Sequence, residues 1–269
     1  MKLQETLLVS DLDGTLVDAN GDVPPDNNAA IRRYQAQGGH FAVATGRSWQ
    51  SAGQYFVEWK PDAPCILLNG SVLYDYTKHK PVQVTAMPAQ SIASFLAALL
   101  EQMPDAGAEV FNPDAVGVLR FEVNIHNHLT PEVFLSEHGL PDFPKPWCKA
   151  LISCAAGRMA VLRELAERLP HAGLRLVNSS ANYLEILPEG VSKGSGLRAL
   201  AKACGCESAH IFAIGDYEND RELLLAADTA AVPADGQDAM RALADLVTKP
   251  CPSGAVADLI AQMEALCDG

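Results

Sequence analysis

Between residues 6 and 69 short apolar runs alternate with helix-like stretches, and the same alternation resumes after residue 188. Residues 6–12, 41–45 and 65–69 read as buried strands, and 27–37 and 48–59 as helices. Gly38-Gly39 closes the first helix. A strand–helix–strand–helix–strand order calls for a parallel sheet, because parallel neighbours need a crossover between them. After Pro188 the pattern predicts helices over 192–203, 219–227, 237–243 and 255–266, and strands over 210–214, 230–232 and 246–248. The middle differs. Strands at 72–76, 81–85, 109–111, 118–125, 150–154, 174–178 and 183–187 surround helices at 91–102 and 159–168, an α+β mixture. The expected fold is therefore α/β: a doubly wound parallel core made of residues 1–80 and 187–269, with an inserted α+β cap domain over 81–186.

Composition narrows the function classes. The 269 residues carry a formal net charge of −13. Binding to nucleic acid relies on clustered Lys and Arg, and anionic membranes attract basic segments, so neither partner is expected. Seven cysteines at irregular spacing, a short apolar run near the N-terminus and no bilayer-length apolar stretch point to a reducing cytoplasm. Monomer and homodimer are both compatible with the sequence.

The chemistry gathers at strand ends. In V-S-D-L-D-G-T-L, Asp11 and Asp13 close the first apolar run. In extended chain, side chains at i and i+2 share a face, so both carboxylates are expected to point into one site. In G-D-Y-E-N-D, Asp216 and Asp220 follow the strand at 210–214 in the same way. Ligands of open α/β sheets bind at such carboxyl ends. Four converging carboxylates would repel one another by about 4 kcal/mol per pair at 4 Å and an effective dielectric near 20. An all-oxygen cluster of this kind selects a hard cation such as Mg2+. Thr45-Gly46-Arg47, at the end of the second strand, offers a hydroxyl and backbone N–H groups to an anionic oxygen. Lys193-Gly194 opens the helix after the insertion and brings a point charge for phosphate or carboxylate.

Taken in order, D-L-D-G-T-L, T-G-R, K-G and G-D-Y-E-N-D resemble the four motifs of the haloacid dehalogenase superfamily. The insertion after the third strand, and Asn69-Gly70 at that strand's end, resemble its Cof-like branch. The resemblance implies a phosphatase that hydrolyses small phosphate monoesters, such as sugar phosphates or phosphorylated cofactors. It implies Asp11 as the nucleophile and Asp13 as the acid and then base. It implies Mg2+ held by Asp11, the Asp13 backbone carbonyl and Asp216. Asp220 would ligate directly, through water, or by orienting Lys193. Thr45 and Lys193 would bind the phosphoryl group, with Gly46, Arg47, Asn69 and Gly70 near the substrate. Asn219 would support the loop that presents Asp220. The cap would choose the substrate.

Two rival activities share these motifs: a phosphotransferase or phosphomutase on the same core, and a non-catalytic phospho-accepting regulator. Three further features invite weaker readings. Cys204-x-Cys206 and His126-x-His128 have metal-binding spacing, and Arg120 and Glu122 alternate on a cap strand.

Overall fold

The computed structural model describes residues 2–122, 133–135, 140 and 143–268. The chain divides into two compact units. One comprises Met1–Arg47, Ala52–Gln83 and Ser192–Gly269; the other comprises Ser48–Ser51 and Val84–Val191.

The first unit is built on a five-stranded parallel sheet. Its strands are β1 (Thr6–Ser10), β2 (His40–Val43), β12 (His210–Ile214), β13 (Thr229–Pro233) and β14 (Leu246–Thr248), in the order β14-β13-β12-β1-β2. β1 is central, parallel to β12 on one side and β2 on the other, with Ser10 opposite both Ile214 and Val43. Every residue of β1 is buried, as a strand covered on both faces requires. β3 (Cys65–Leu67) joins through a parallel bridge between Ala44 and Ile66, and pairs on its other side with β4 (Val72–Asp75). β5 (Lys80–Val84) completes that smaller sheet.

Helices flank the parallel sheet. α1 (Pro25–Ala36) packs on α8 (Ala255–Asp268), and α5 (Lys193–Cys204) packs on α6 (Arg221–Ala226). The short α7 (Asp238–Arg241) lies against β13. The helix expected over 48–59 is confined to α2 (Trp49–Gly53). Phe56 and Trp59 leave helical geometry to enter an aromatic cluster. Trp59 packs edge-on to Phe41 with ring centroids 4.9 Å apart, and Phe56 does the same to Tyr76 at 4.9 Å. Trp59 Nε1 also donates to Asn28 Oδ1 at 2.9 Å. Burial of two aromatic rings outweighs the modest propensity gain of two more helical turns.

The second unit is the α+β cap. It contains α3 (Ala89–Gln102), β6 (Gly107–Phe111), β7 (Val116–Arg120), β8 (Val133–Leu135), β9 (Lys149–Ser153), α4 (Met159–Arg168), β10 (Leu174–Asn178) and β11 (Tyr183–Pro188). Its six-stranded sheet runs β10-β11-β9-β6-β7-β8. Alternate residues Ala108, Val110, Ala150, Ile152, Leu184 and Ile186 form one core with the apolar faces of α3 and α4. The strand expected over 118–125 begins earlier, at Val116, and is described to Arg120. Residues 123–125, with His126 and His128, lie outside the described residues. Arg120 Nη1 donates to Leu100 O at 2.9 Å and Met103 O at 3.0 Å, closing the last turn of α3. Its charge is thereby used within the cap.

Candidate active site

The site grows from the carboxyl end of β1. Asp11 N–H donates to Ile214 O at 2.9 Å, which extends the β1–β12 ladder by one residue. The chain then turns sharply, with the N–H groups of Thr15, Leu16 and Val17 all directed at Leu12 O. Gly14 makes this turn at φ +87°, in the left-handed region that favours glycine. A Cβ at Gly14 would lie 2.6 Å from Asp216 Oδ2, so the position also admits the second acidic strand end. Thr15 Oγ1 donates to Asp216 Oδ1 at 2.9 Å. The G-T that follows the two aspartates thus positions Asp216 from 201 residues away. Sequence reading assigned no such role to Thr15.

β12 delivers the second cluster. Asp220 is wholly buried, and its Oδ2 accepts the N–H groups of Asp216 and Tyr217, each at 3.1 Å. Its Oδ1 accepts from Lys193 Nζ at 2.5 Å. The same ammonium donates to Asp11 Oδ1 at 2.5 Å. Lys193 is the first residue of α5, directly after the cap residue Ser192, whose Oγ accepts from Ser195 N at 3.1 Å. Gly194 follows because a Cβ there would sit 2.1 Å from Glu222 O on α6. Close packing of α5 on α6 therefore sets where the lysine emerges.

Electrostatics sharpen the picture. Oxygens of Asp11, Asp216 and Asp220 all lie within 4.8 Å of one another. Each pair of charges would repel by about 3–4 kcal/mol at that separation and an effective dielectric near 20. Burial, then the Asp220 charge, raise Asp11 well above the usual carboxylate range, against the pull of Lys193. Burial and Asp220 push Asp216 up to about 7. Burial opposes charge on Lys193, but Asp11 and Asp220 overcome it and hold the ammonium firmly protonated.

The expected convergence of four carboxylates is met by three. β1 ends at Ser10, so the extended geometry that would align Asp13 with Asp11 does not continue. Asp13 sits in the turn, half-exposed, with its carboxylate clamped by Arg47: Nε to Oδ2 at 2.8 Å and Nη2 to Oδ1 at 2.6 Å. The Arg47 guanidinium also lies 5.1 Å from the centroid of the Tyr55 ring.

The remaining predicted residues surround these strand ends. Thr45 is buried; its N–H donates to Ile66 O at 2.8 Å, and its Oγ1 accepts from Arg47 N at 3.2 Å. Gly46 lies between them in the same turn. Beyond β3 three successive residues take positive φ: Leu68 at 48°, Asn69 at 54° and Gly70 at 104°. Left-handed non-glycine residues cost about 1–2 kcal/mol each, and such strain concentrates at functional sites. Here it lets Asn69 N–H donate to Thr45 O at 3.0 Å and its Oδ1 accept from Asn219 Nδ2 at 3.4 Å. Gly70 fits where a Cβ would lie 2.1 Å from Ser192 O. Cys204 and Cys206 are elsewhere: their Sγ atoms donate to Leu200 O and Cys204 O, at 3.1 and 3.6 Å.

Residues 8–260 match the family described as haloacid dehalogenase-like hydrolase. The chain belongs to this family. Full-length relatives of this hydrolase carry phosphatase names. The pyridoxal phosphate phosphatase YbhA of Escherichia coli is 24% identical over 275 residues, covering 94% of this chain and 97% of the relative. The 5-amino-6-(5-phospho-D-ribitylamino)uracil phosphatase YwtE of Bacillus subtilis is 25% identical over 279 residues, covering 94% and 96%. A haloacid dehalogenase-like hydrolase from Bacteroides thetaiotaomicron shares the fold with a TM-score of 0.83 at 21% identity, over 96% of this chain and 99% of that one. Membership makes the protein a haloacid dehalogenase-like hydrolase. No helix among its described residues is long and apolar enough to cross a membrane.

Proposed function

We propose that this hydrolase is a Mg2+-dependent phosphatase of small phosphate monoesters, acting through an aspartyl-phosphate on Asp11. The observation that carries the reading is the buried ammonium of Lys193 held at 2.5 Å from both Asp11 and Asp220, beside Asp216. Such an arrangement has no value as stability alone, since burying several charges costs more than an apolar core would.

The donor set fits a hard divalent cation. Three carboxylates stand against one ammonium, all the ligating atoms are oxygens, and both Asp11 and Asp216 resist ionisation without further positive charge. Asp11, Asp216 and the Asp13 main-chain carbonyl would hold Mg2+. Asp220 has Oδ1 on Lys193 and Oδ2 on two backbone N–H groups, so its role is to orient that lysine and the loop. When bound, Mg2+ supplies charge neutralisation and polarises a phosphoryl oxygen.

The chain's own residues then divide the reaction. A carboxylate oxygen of Asp11 attacks phosphorus, and the bond to the ester oxygen breaks. Lys193 and the Thr45 hydroxyl stabilise charge on the phosphoryl oxygens; Thr45 Oγ1 already accepts from Arg47 N, which leaves its proton to donate. Arg47 exchanges Asp13 for the incoming phosphoryl oxygens, which leaves Asp13 to act as the general acid with one proton on its carboxyl. Asp13 gives that proton to the leaving alkoxide. It next removes a proton from water, which attacks phosphorus, breaks the acyl phosphate bond and regenerates Asp11. The small phosphorylated metabolites named for the relatives fit this chemistry.

The test is Asp11→Asn with p-nitrophenyl phosphate. Turnover should be abolished while the thermal midpoint stays near wild type, and free phosphate should appear without an added acceptor in the wild type. Hydrolysis by the variant at near wild-type rate would overturn the assignment.

A further inference from the structure

Cysteine is among the residue types most often fully buried. Four of the seven here, Cys65, Cys148, Cys154 and Cys251, are buried. Cys204 and Cys206 are not: both are partly exposed, and Lys202, Gly205, Glu207 and Ser208 around them are exposed. The two cysteines flank Gly205 at the end of α5, as C-G-C. Gly205 takes φ +67° and ψ 25°, the left-handed conformation that ends many helices. Its N–H donates to Lys202 O at 3.3 Å, and Cys206 N–H donates to Ala201 O at 2.8 Å. These two bonds fix the backbone of C-G-C on the last turn of the helix.

With planar peptide units, the distance between the Cα atoms of Cys204 and Cys206 follows from the conformation of Gly205 alone. A left-handed residue mirrors a helical one, and helical geometry spaces Cα atoms two apart by about 5.5 Å. Disulfides have Cα separations of about 4.4–6.8 Å, most often about 5.5–6 Å. The pair therefore has the backbone spacing of a disulfide before one forms. The side chains agree. Cys204 Sγ donates to Leu200 O at 3.1 Å and Cys206 Sγ to Cys204 O at 3.6 Å, so both thiols lie against one helical turn. The two sulfurs are within hydrogen-bonding reach of each other; burial, then that contact, push Cys204 up to about 12. A structural metal fits less well, since it wants four ligands and no further His, Cys, Asp or Glu joins the pair among the described residues.

We infer that Cys204-Gly205-Cys206 is a thiol–disulfide exchange site, a dithiol that closes reversibly to an intramolecular disulfide with a low-molecular-weight disulfide as its co-reactant. Cys206 attacks first, because the Cys204 thiol is held protonated. The Cys206 thiolate bonds to one sulfur of the co-reactant, whose own S–S bond breaks and releases one thiolate. Cys204 then gives up its proton and attacks Cys206 Sγ, and the second small thiolate leaves. Two cysteine thiols are oxidised, one disulfide is reduced to two thiols, and the cysteine protons end on the released sulfurs. The second step is intramolecular, so it outruns a second encounter with the co-reactant. Cys204 lies about 16 Å along α5 from Lys193, and the exchange site shares no residue with the carboxylate cluster. It stands or falls without the phosphatase reading.

The experiment equilibrates the folded full-length chain in glutathione buffers of varied ratio, blocks remaining thiols with an alkylating reagent, and weighs the tryptic peptide 203–221. That peptide carries Cys204 and Cys206 and no other cysteine. Oxidising buffers should yield it two hydrogens lighter and unalkylated, and excess reduced glutathione should restore both thiols. Closing the disulfide consumes one oxidised and releases two reduced glutathiones. Tenfold dilution of the buffer at a fixed ratio of the two forms should therefore raise the disulfide-to-dithiol ratio by about tenfold. A mixed disulfide with glutathione would not respond to that dilution. Cys206→Ser should lose the lighter peptide entirely and carry at most one glutathione, at Cys204, in an amount that dilution leaves unchanged. Retention of both thiols across the whole range of buffers overturns the inference. So does a wild-type peptide that settles as a dilution-insensitive glutathione adduct, a result that needs no variant. A cross-link from this peptide to the one carrying Cys267, the other partly exposed cysteine, also overturns it.

Discussion

Lys193 is wholly buried between two buried carboxylates, Asp11 and Asp220, beside the partly buried Asp216. Lys193→Met keeps the side chain's length and removes its charge. Asp11 and Asp220 would then be buried without their donor. Breaking one partner from a buried ion pair costs about 3–5 kcal/mol, and that loss is expected in urea unfolding at pH 8. It should shrink as the pH falls, because the stranded carboxylates can then take up protons. Hydrolysis should be lost at every pH. At this scale the sequence was informative where function is local. Asp11, Asp216 and Asp220 each sit just beyond an apolar strand, and that was visible without coordinates. Two relations were not visible. The Thr15–Asp216 bond and the Arg47–Asp13 clamp join residues 201 and 34 positions apart. Nothing in either motif alone announces its partner. Asp13 in particular was placed by assuming that extended geometry ran past Ser10, whereas the turn at Gly14 takes over there.

At the scale of elements, the N-terminus of α5 decides where Lys193 points. Ser192 and Ser195 bond reciprocally: Ser192 N donates to Ser195 Oγ at 2.9 Å, and Ser195 N to Ser192 Oγ at 3.1 Å. Ser192→Ala removes one side of that exchange and should destabilise the protein by about 1 kcal/mol, read as a shift in the urea midpoint. The rate should fall further than this loss explains, because the first helical residue is Lys193 itself. Addition of Mg2+ should not restore it. An unchanged kcat in the Ser192→Ala protein would show that α6, through the close contact at Gly194, holds the lysine unaided. Element boundaries were legible in proportion to how local their causes are. α5, with its Ser cap and αL Gly205 at the end, was read almost to the residue. The helix at 48–59 was overcalled because Phe56 and Trp59 answer to Phe41 and Tyr76, not to their neighbours in sequence.

At the scale of the molecule, a net charge of −13 and a cluster of three largely buried carboxylates raise the same question: what offsets the negative charge where the proposed phosphate ester would bind. Asp216 offers a direct measurement. Its carboxyl is pushed up to about 7 in the folded protein, from an ordinary value of 3.8. A raised carboxyl pKa means that the folded state holds the proton longer than the unfolded chain. Stability is therefore undiminished below pH 3.8, falls as the pH rises from there to about 7, and stays reduced above it. The full cost is on the order of 4 kcal/mol. In chelator, Asp216→Asn should thus be more stable than wild type at pH 8 by up to that amount, and the two should converge near pH 4. Mg2+ should reverse the order. A ligand at 100 times its Kd stabilises by about 2.7 kcal/mol, and wild type should gain on that scale while Asp216→Asn gains little. Unfolding midpoints at pH 8, with chelator and with Mg2+, decide the matter without reference to activity. A wild-type midpoint indifferent to Mg2+ would mean that Lys193 alone offsets the cluster, and the metal would have to be given up even if the phosphatase chemistry stood.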